Sequence, residues 1–140
     1  MIIWITGQPL SGKTTLASLL SESLKCPWID GDAVRKLVGN RDYSHDGRKA
    51  NIELIQTMAV TAHKFNKYCV VSAVAPFRSQ RDAFKQKHSV IEVYLTSDRR
   101  SQVEVPYYEP PLVYFVHLDT SLFTPQACLD KILYAITPEY

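Results

Sequence analysis

Ile2-Ile3-Trp4-Ile5-Thr6 runs directly into Gly7-Gln8-Pro9-Leu10-Ser11-Gly12-Lys13-Thr14, and this passage decides the fold. The first five residues are a continuous apolar run of strand length, which suits a strand covered on both faces. The next eight fit G-x-x-x-x-G-K-S/T without a mismatch. In such a loop the glycines let successive N–H groups point into one concavity, and the helix that follows adds its positive end. Lys13 then reaches the β- and γ-phosphates of a nucleoside triphosphate, and the Thr14 hydroxyl can ligate Mg²⁺. Gly7, Gln8, Pro9, Leu10, Ser11, Gly12, Lys13, Thr14 and Thr15 are therefore the expected nucleotide-binding residues.

Downstream, short β-branched runs alternate with helical spacing. Thr14 to Leu24 reads as a helix with Leu16, Leu19, Leu20 and Leu24 on one stripe. Pro27-Trp28-Ile29 reads as a second strand, and a polar, turn-rich stretch runs from Gly39 to Gly47. Ile52, Leu54, Ile55, Met58, Ala59, Ala62 and Phe65 fit one amphipathic helix. Cys69 to Ala75, Val90 to Leu95 and Val113 to Leu118 complete five strands. Thr124-Pro125 opens a last helix with Leu129, Ile132, Leu133 and Ile136 inward. The expectation is an α/β chain of the P-loop NTPase class: a five-stranded parallel sheet with helices on both faces, as one domain spanning 1–140.

Composition narrows the function classes. Lys plus Arg is 16 and Asp plus Glu is 14, a formal net charge of +2, too mild to argue for a nucleic-acid or membrane surface. No apolar run reaches the roughly 18 residues that span a bilayer, and the N-terminus lacks the basic region of a signal peptide. Cys26, Cys69 and Cys128 are widely spaced with no C-x-x-C pair, and His63, His88 and His117 lack metal-ligand spacing. A reducing, cytoplasmic setting is the expectation. Large motor ATPases are excluded by length, no guanine-reading N-K-x-D is present, and the run ending in Val74-Ala75 lacks a terminal Asp.

What remains is a small-molecule kinase, which needs a carboxylate near the acceptor hydroxyl and cations for an anionic acceptor. Asp30-Gly31-Asp32 ends the second strand on the sheet's ligand edge, and Arg35 lies one helical turn on. Either aspartate could also cap the next helix, a role compatible with chemistry.

Trp28-Ile29-Asp30-Gly31-Asp32-Ala33-Val34-Arg35 resembles the D-G-D-N-V-R segment of adenylylsulfate kinases. Tyr43 to Ile52 is similar to their G-F-S-x-x-D-R-x-x-N-I. Val71 to Arg78 with Arg81-Asp82 is similar to V-S-F-I-S-P-F-R-x-x-R-D, and Pro106 to Pro111 to P-Y-E-P-P. The resemblance implies transfer of the γ-phosphoryl of ATP, with Mg²⁺, to the ribose 3′-hydroxyl of adenylyl sulfate. By motif, Asp32 would be the acceptor-side base and Lys13 its catalytic partner on the phosphates, while Asp30 would help Thr14 order the metal. Arg35, Arg48 and Asn51 would hold the substrate's phosphosulfate and sugar, and Tyr43 would stack on its adenine. Val74 and Ala75 would contact it through backbone and small side chains.

Three departures accompany this resemblance. Ala33 replaces the family's Asn, and Ala75 replaces a serine discussed as a phosphorylated intermediate, so direct in-line transfer is expected. Only Ser97 to Val105 stands where the family has a long basic lid. Arg99 and Arg100 could still flank the triphosphate. The alternatives are a kinase of another small hydroxyl substrate and an idle nucleotide-binding protein. Tyr107, Tyr108 and Tyr114 pack either under the 97–111 loop or against a second copy, so a homodimer is one expectation.

Overall fold

The computed structural model describes residues 1–99 and 104–137. The elements are β1 (Ile2–Thr6), α1 (Lys13–Leu24), β2 (Trp28–Asp30), α2 (Gly31–Val38), α3 (His45–Phe65), β3 (Cys69–Ser72), α4 (Arg78–Lys87), β4 (Val90–Thr96), β5 (Phe115–Asp119) and α5 (Pro125–Ile136). The sheet is parallel throughout, in the order β2-β3-β1-β4-β5. All five residues of β1 are buried, as its apolar run requires, and it sits at the centre with Ile2 opposite both Cys69 and Val90. Ile3 and Ile5 join one core with α1 and α5, while Ile2 and Trp4 join a second with α2, α3 and α4. Each fully buried isoleucine contributes about 1.5–3 kcal/mol. The strand that launches the phosphate loop is thus anchored on both faces.

Several boundaries differ from the sequence expectation, for identifiable reasons. The strand expected over Cys69 to Ala75 stops at Ser72. Beyond it, Thr6 Oγ1 donates to the Val74 carbonyl at 2.6 Å, and Ala75 turns the chain at φ +45°. The strand expected from Val113 begins at Phe115, because Lys85 Nζ takes the carbonyls of Val113 and Tyr114 and Tyr114 adopts φ +52°. The helix expected around Ile52 starts at His45, inside the stretch read as turns. Ser44 caps it by accepting from the Gly47 N–H at 3.2 Å. Gly47 is not a turn glycine: a Cβ there would lie 2.2 Å from the Asp42 carbonyl oxygen. Phe65, placed on the inward stripe by spacing, is 82% exposed on the last turn, and Leu54 is exposed as well.

A buried ion cluster ties α4 to β4 and to the segments that follow β3 and precede β5. Glu92, in the middle of β4, is bonded at 2.7 Å to both Arg81 and Lys85. Arg81 also donates to the carbonyls of Ala75 and Glu109. Arg78 binds Glu109 and Pro110, and the Glu109 N–H donates to the Pro76 carbonyl. The Pro-Phe-Arg and Pro-Tyr-Tyr-Glu-Pro-Pro segments are therefore one structural unit. Tyr107 and Tyr108 pack inside it, whereas Tyr114 is 91% exposed. Among the described residues no helix is long and apolar enough to cross a membrane.

Candidate active site

The loop after β1 adopts the backbone its sequence demands. Gly7 has φ +152°, and a Cβ there would fall 2.5 Å from the Leu95 carbonyl oxygen, so only glycine fits. Gly12, at φ +101°, precedes α1 without any side-chain cap, which leaves the helix's first N–H groups for an anion. Leu10 also has positive φ and projects into solvent at the cleft mouth. Lys13 Nζ donates to the Gln8 carbonyl at 2.8 Å. Burial lowers the Lys13 ammonium to a pKa of about 8, while the carboxylates of Asp32 and Asp30 pull it back upward. The Thr14 and Thr15 side chains are exposed at the start of α1.

The β5–α5 junction braces this loop from the other side. Thr120 Oγ1 donates to the Ser11 carbonyl at 2.8 Å and accepts from Arg99 Nη2 at 2.9 Å. Arg99 Nη2 lies 3.6 Å from where a Cβ on Gly12 would stand, which puts the guanidinium beside the loop. Arg100 falls outside the described residues. Sequence reasoning missed Thr120. Its signal was position, since the first residue past a parallel strand falls on the ligand edge of the sheet.

At the end of β2 the two aspartates divide their work. Asp30 is the N-cap of α2: Oδ2 accepts from the Ala33 N–H at 3.1 Å and Oδ1 accepts from Ser72 Oγ at 2.8 Å. Ser72 Oγ in turn accepts from Trp28 Nε1 at 2.8 Å. Asp32, one residue into the helix, is exposed and has no hydrogen bond among the described residues. Asp30→Ala is therefore expected to destabilise the fold by about 1–2 kcal/mol through loss of the cap and of the Ser72 bond. Asp30→Asn, which keeps a capping oxygen, should recover most of that in chemical denaturation followed by tryptophan emission.

The acceptor wall is built on α2 and α3. Arg35 is 7% exposed, and its Nη1 donates to Asn40 Oδ1 at 3.2 Å and the Asp42 carbonyl at 3.0 Å. It thereby organises the loop that carries Tyr43. The Tyr43 ring is half exposed, with the Arg35 guanidinium 4.3 Å and the Arg48 guanidinium 5.3 Å from its centroid. Asn51 is buried; its Nδ2 donates to the Gly31 carbonyl at 3.4 Å, and its Oδ1 has no partner among the described residues. Val74 and Ala75 form the floor, with their carbonyls taken by Thr6 and Arg81. His45, which had no nameable partner in the sequence, packs 4.5 Å from Tyr107 and 5.1 Å from Phe77, ring to ring.

Lys13, Thr14, Asp30, Asp32, Arg35, Tyr43, Arg48, Asn51, Val74, Ala75 and Arg99 all line one cleft of about 1330 Å³. Pro9, Leu10, Gly12 and Thr15 share it, whereas Gly7, Gln8 and Ser11 lie behind its surface. Thr14 offers a hydroxyl for Mg²⁺, and in the same cleft both Asp30 oxygens are held by Ala33 and Ser72; oxygen donors are the chemistry that ion takes. Among the described residues no cluster of His, Cys, Asp or Glu forms a protein cage. Such a site suits an ion held largely by phosphate oxygens.

A parallel sheet, a phosphate loop and a facing carboxylate and cation wall define a P-loop phosphotransferase. The profile of the family described as Adenylylsulphate kinase matches residues 1–105, and the chain belongs to that family. It is 30% identical to an adenylyl-sulfate kinase of Chloroflexus aurantiacus over 97% of this chain and 88% of that one. It is also 30% identical to the cytidine diphosphoramidate kinase of Campylobacter jejuni over 74% of this chain and 64% of that one. Among solved structures it shares its fold with a Mycobacterium tuberculosis APS kinase in complex with AMPPNP and APS. That match has a TM-score of 0.79 and 18% identity, and covers 95% of each chain.

Proposed function

We propose that the protein transfers the γ-phosphoryl of ATP to the 3′-hydroxyl of adenylyl sulfate, giving 3′-phosphoadenylyl sulfate for sulfate assimilation in the cytoplasm. The observation that carries this reading is the shared cleft, in which the phosphate loop faces Asp32 across from Arg35, Tyr43, Arg48 and Asn51. Membership of the adenylylsulphate kinase family supports adenylyl sulfate as the acceptor.

In this reading the backbone N–H groups of 7–15 and the Lys13 ammonium grip the triphosphate, with Arg99 at its flank. Asp32, which holds no hydrogen bond among the described residues, accepts the proton from the acceptor hydroxyl as the in-line transfer proceeds. Thr14, with Asp30 ordering the surroundings, would hold Mg²⁺, which neutralises charge on the β- and γ-phosphates. The adenine of the acceptor stacks on Tyr43. For this the looser guanidinium, that of Arg48, leaves the ring and becomes available to the phosphosulfate. Asn51 Oδ1, buried with no partner among the described residues, accepts from the sugar. Ala75 carries no hydroxyl, so no phosphoserine forms there.

A second reading, transfer to a different anionic nucleotide, is favoured by the Campylobacter relative and by the short stretch from Ser97 to Val105. Calorimetry separates the two. Adenylyl sulfate should bind the protein loaded with a non-hydrolysable ATP analogue and Mg²⁺, and a cytidine diphosphate-type acceptor should not. The opposite preference would replace adenylyl sulfate as the acceptor. ATP alone should bind in the micromolar range and be hydrolysed slowly to water, since little chain is available to exclude it.

A further inference from the structure

We infer that Gln8 is a positioning residue that couples the nucleotide half of the cleft to the acceptor half through segment 105–109; the inference rests on the transferase reading above. Gln8 sits within the phosphate loop, and its side chain is committed to Val105, a residue of the cleft lining. Its Nε2 donates to the Val105 carbonyl at 2.7 Å, and its Oε1 accepts the Val105 N–H at 2.9 Å. One side-chain amide thus pairs with both backbone groups of a residue 97 positions away. Val105 is 2% exposed at this contact.

The consequences run in both directions from that pair. On the nucleotide side, the Gln8 carbonyl is the acceptor for Lys13 Nζ. On the other side, the Val105 carbonyl also accepts the Tyr108 N–H at 3.2 Å, which closes a turn. That turn delivers Tyr107 to His45 at the start of α3, and sets the Arg48 guanidinium 5.9 Å from the Tyr107 ring. Tyr108 meets Thr6 Oγ1 at 2.9 Å, and Thr6 in turn holds the Val74 carbonyl of the acceptor floor. The phosphate loop is thereby connected through one amide to the groups that shape the acceptor wall.

Glutamine suits the task because its amide carries one donor face and one acceptor face on a neutral group with enough reach. Phosphate gripping does not require this side chain, because the loop binds through backbone N–H groups. A substitution at Gln8 should consequently act on the acceptor more than on ATP.

The test uses the full chain carrying Gln8→Ala or Gln8→Glu. In the wild type the Val105 amide should be protected from hydrogen exchange. In Gln8→Ala it should exchange at least about tenfold faster, and the His45 ring resonances should shift. The acceptor KM should rise about tenfold, the effect of losing two neutral hydrogen bonds, with a smaller change in ATP affinity. Gln8→Glu keeps an oxygen to accept the Val105 N–H but at neutral pH sets a carboxylate against the Val105 carbonyl, so it should retain part of the Val105 protection while still raising the acceptor KM. At acidic pH the neutral carboxyl donates to that carbonyl again, and the acceptor KM should return toward the wild-type value.

Unchanged Val105 exchange and His45 resonances in Gln8→Ala would overturn the coupling. So would a rise in ATP dissociation as large as the rise in acceptor KM. Exchange and resonance changes are read without any acceptor present. If they occur while the wild type fails to phosphorylate adenylyl sulfate, the coupling stands and the acceptor assignment falls.

Discussion

Lys13→Ala is expected to reduce phosphoryl transfer by at least about 10²–10³-fold, the effect of removing one charge aimed at the developing transition state. Its fold should survive intact. The ammonium is disfavoured by burial, so deleting it relieves a desolvation penalty that offsets the lost bond to the Gln8 carbonyl. Thermal melting should show no loss of stability beside the collapse in rate. The same burial gives a pH signature. With a pKa of about 8, free-enzyme Lys13 is charged below that pH and neutral above it. The kcat/KM for ATP should therefore fall as pH rises through about 8, while kcat holds to higher pH because bound phosphates restore the charge. Stability moves oppositely. Between about 8 and the ordinary lysine value of 10.5 the unfolded chain holds the proton more tightly, so the fold gains stability as pH climbs through that window. Unchanged turnover in Lys13→Ala would remove the basis of the phosphotransfer account.

Asp32→Asn carries the second large effect. Asp32 is exposed in the cleft and holds no hydrogen bond among the described residues, so its carboxylate is free for the reaction. Removing a general base typically lowers rates about 10²–10⁴-fold. That loss should fall on kcat, with ATP affinity nearly unaltered, because the triphosphate is gripped by the 7–15 backbone. Steady-state kinetics with ATP varied decides the point: an increased ATP requirement at an unchanged rate would assign Asp32 to nucleotide binding instead. The neighbouring Asp30 sharpens the contrast, since its two oxygens already serve the α2 cap and Ser72.

The division between these aspartates marks where sequence reading stopped. The run Ile2 to Thr6 and the glycine loop were legible because a central parallel strand is apolar on both faces and a phosphate loop needs glycine at fixed positions. The five-stranded parallel sheet followed from the same alternation. The first turns of α3 were not legible, because Ser44, Asp46 and Gly47 belong equally to turns and to helix starts. Only the close approach of Asp42 to Gly47 explains that glycine. The outward Phe65 shows helical spacing continuing one turn beyond the core it predicts. The resemblance implies that Arg35 holds substrate; its Nη1 also organises the loop that carries Tyr43, a contact made by a local chain path that no motif spells out. The Gln8–Val105 pair spans most of the chain and obeys no periodicity, so only coordinates reveal it.

A single incubation decides whether the protein transfers a phosphoryl group from ATP to adenylyl sulfate. The protein is incubated with ATP and Mg²⁺ and with adenylyl sulfate beside a panel of nucleotides and sugars, and the products are identified by mass spectrometry and phosphorus NMR. Adenylyl sulfate should gain one phosphoryl group at its 3′ position, the gain should disappear in Lys13→Ala, and no other acceptor should compete. Phosphorylation of a different hydroxyl in the panel, with adenylyl sulfate left unchanged, would contradict that assignment.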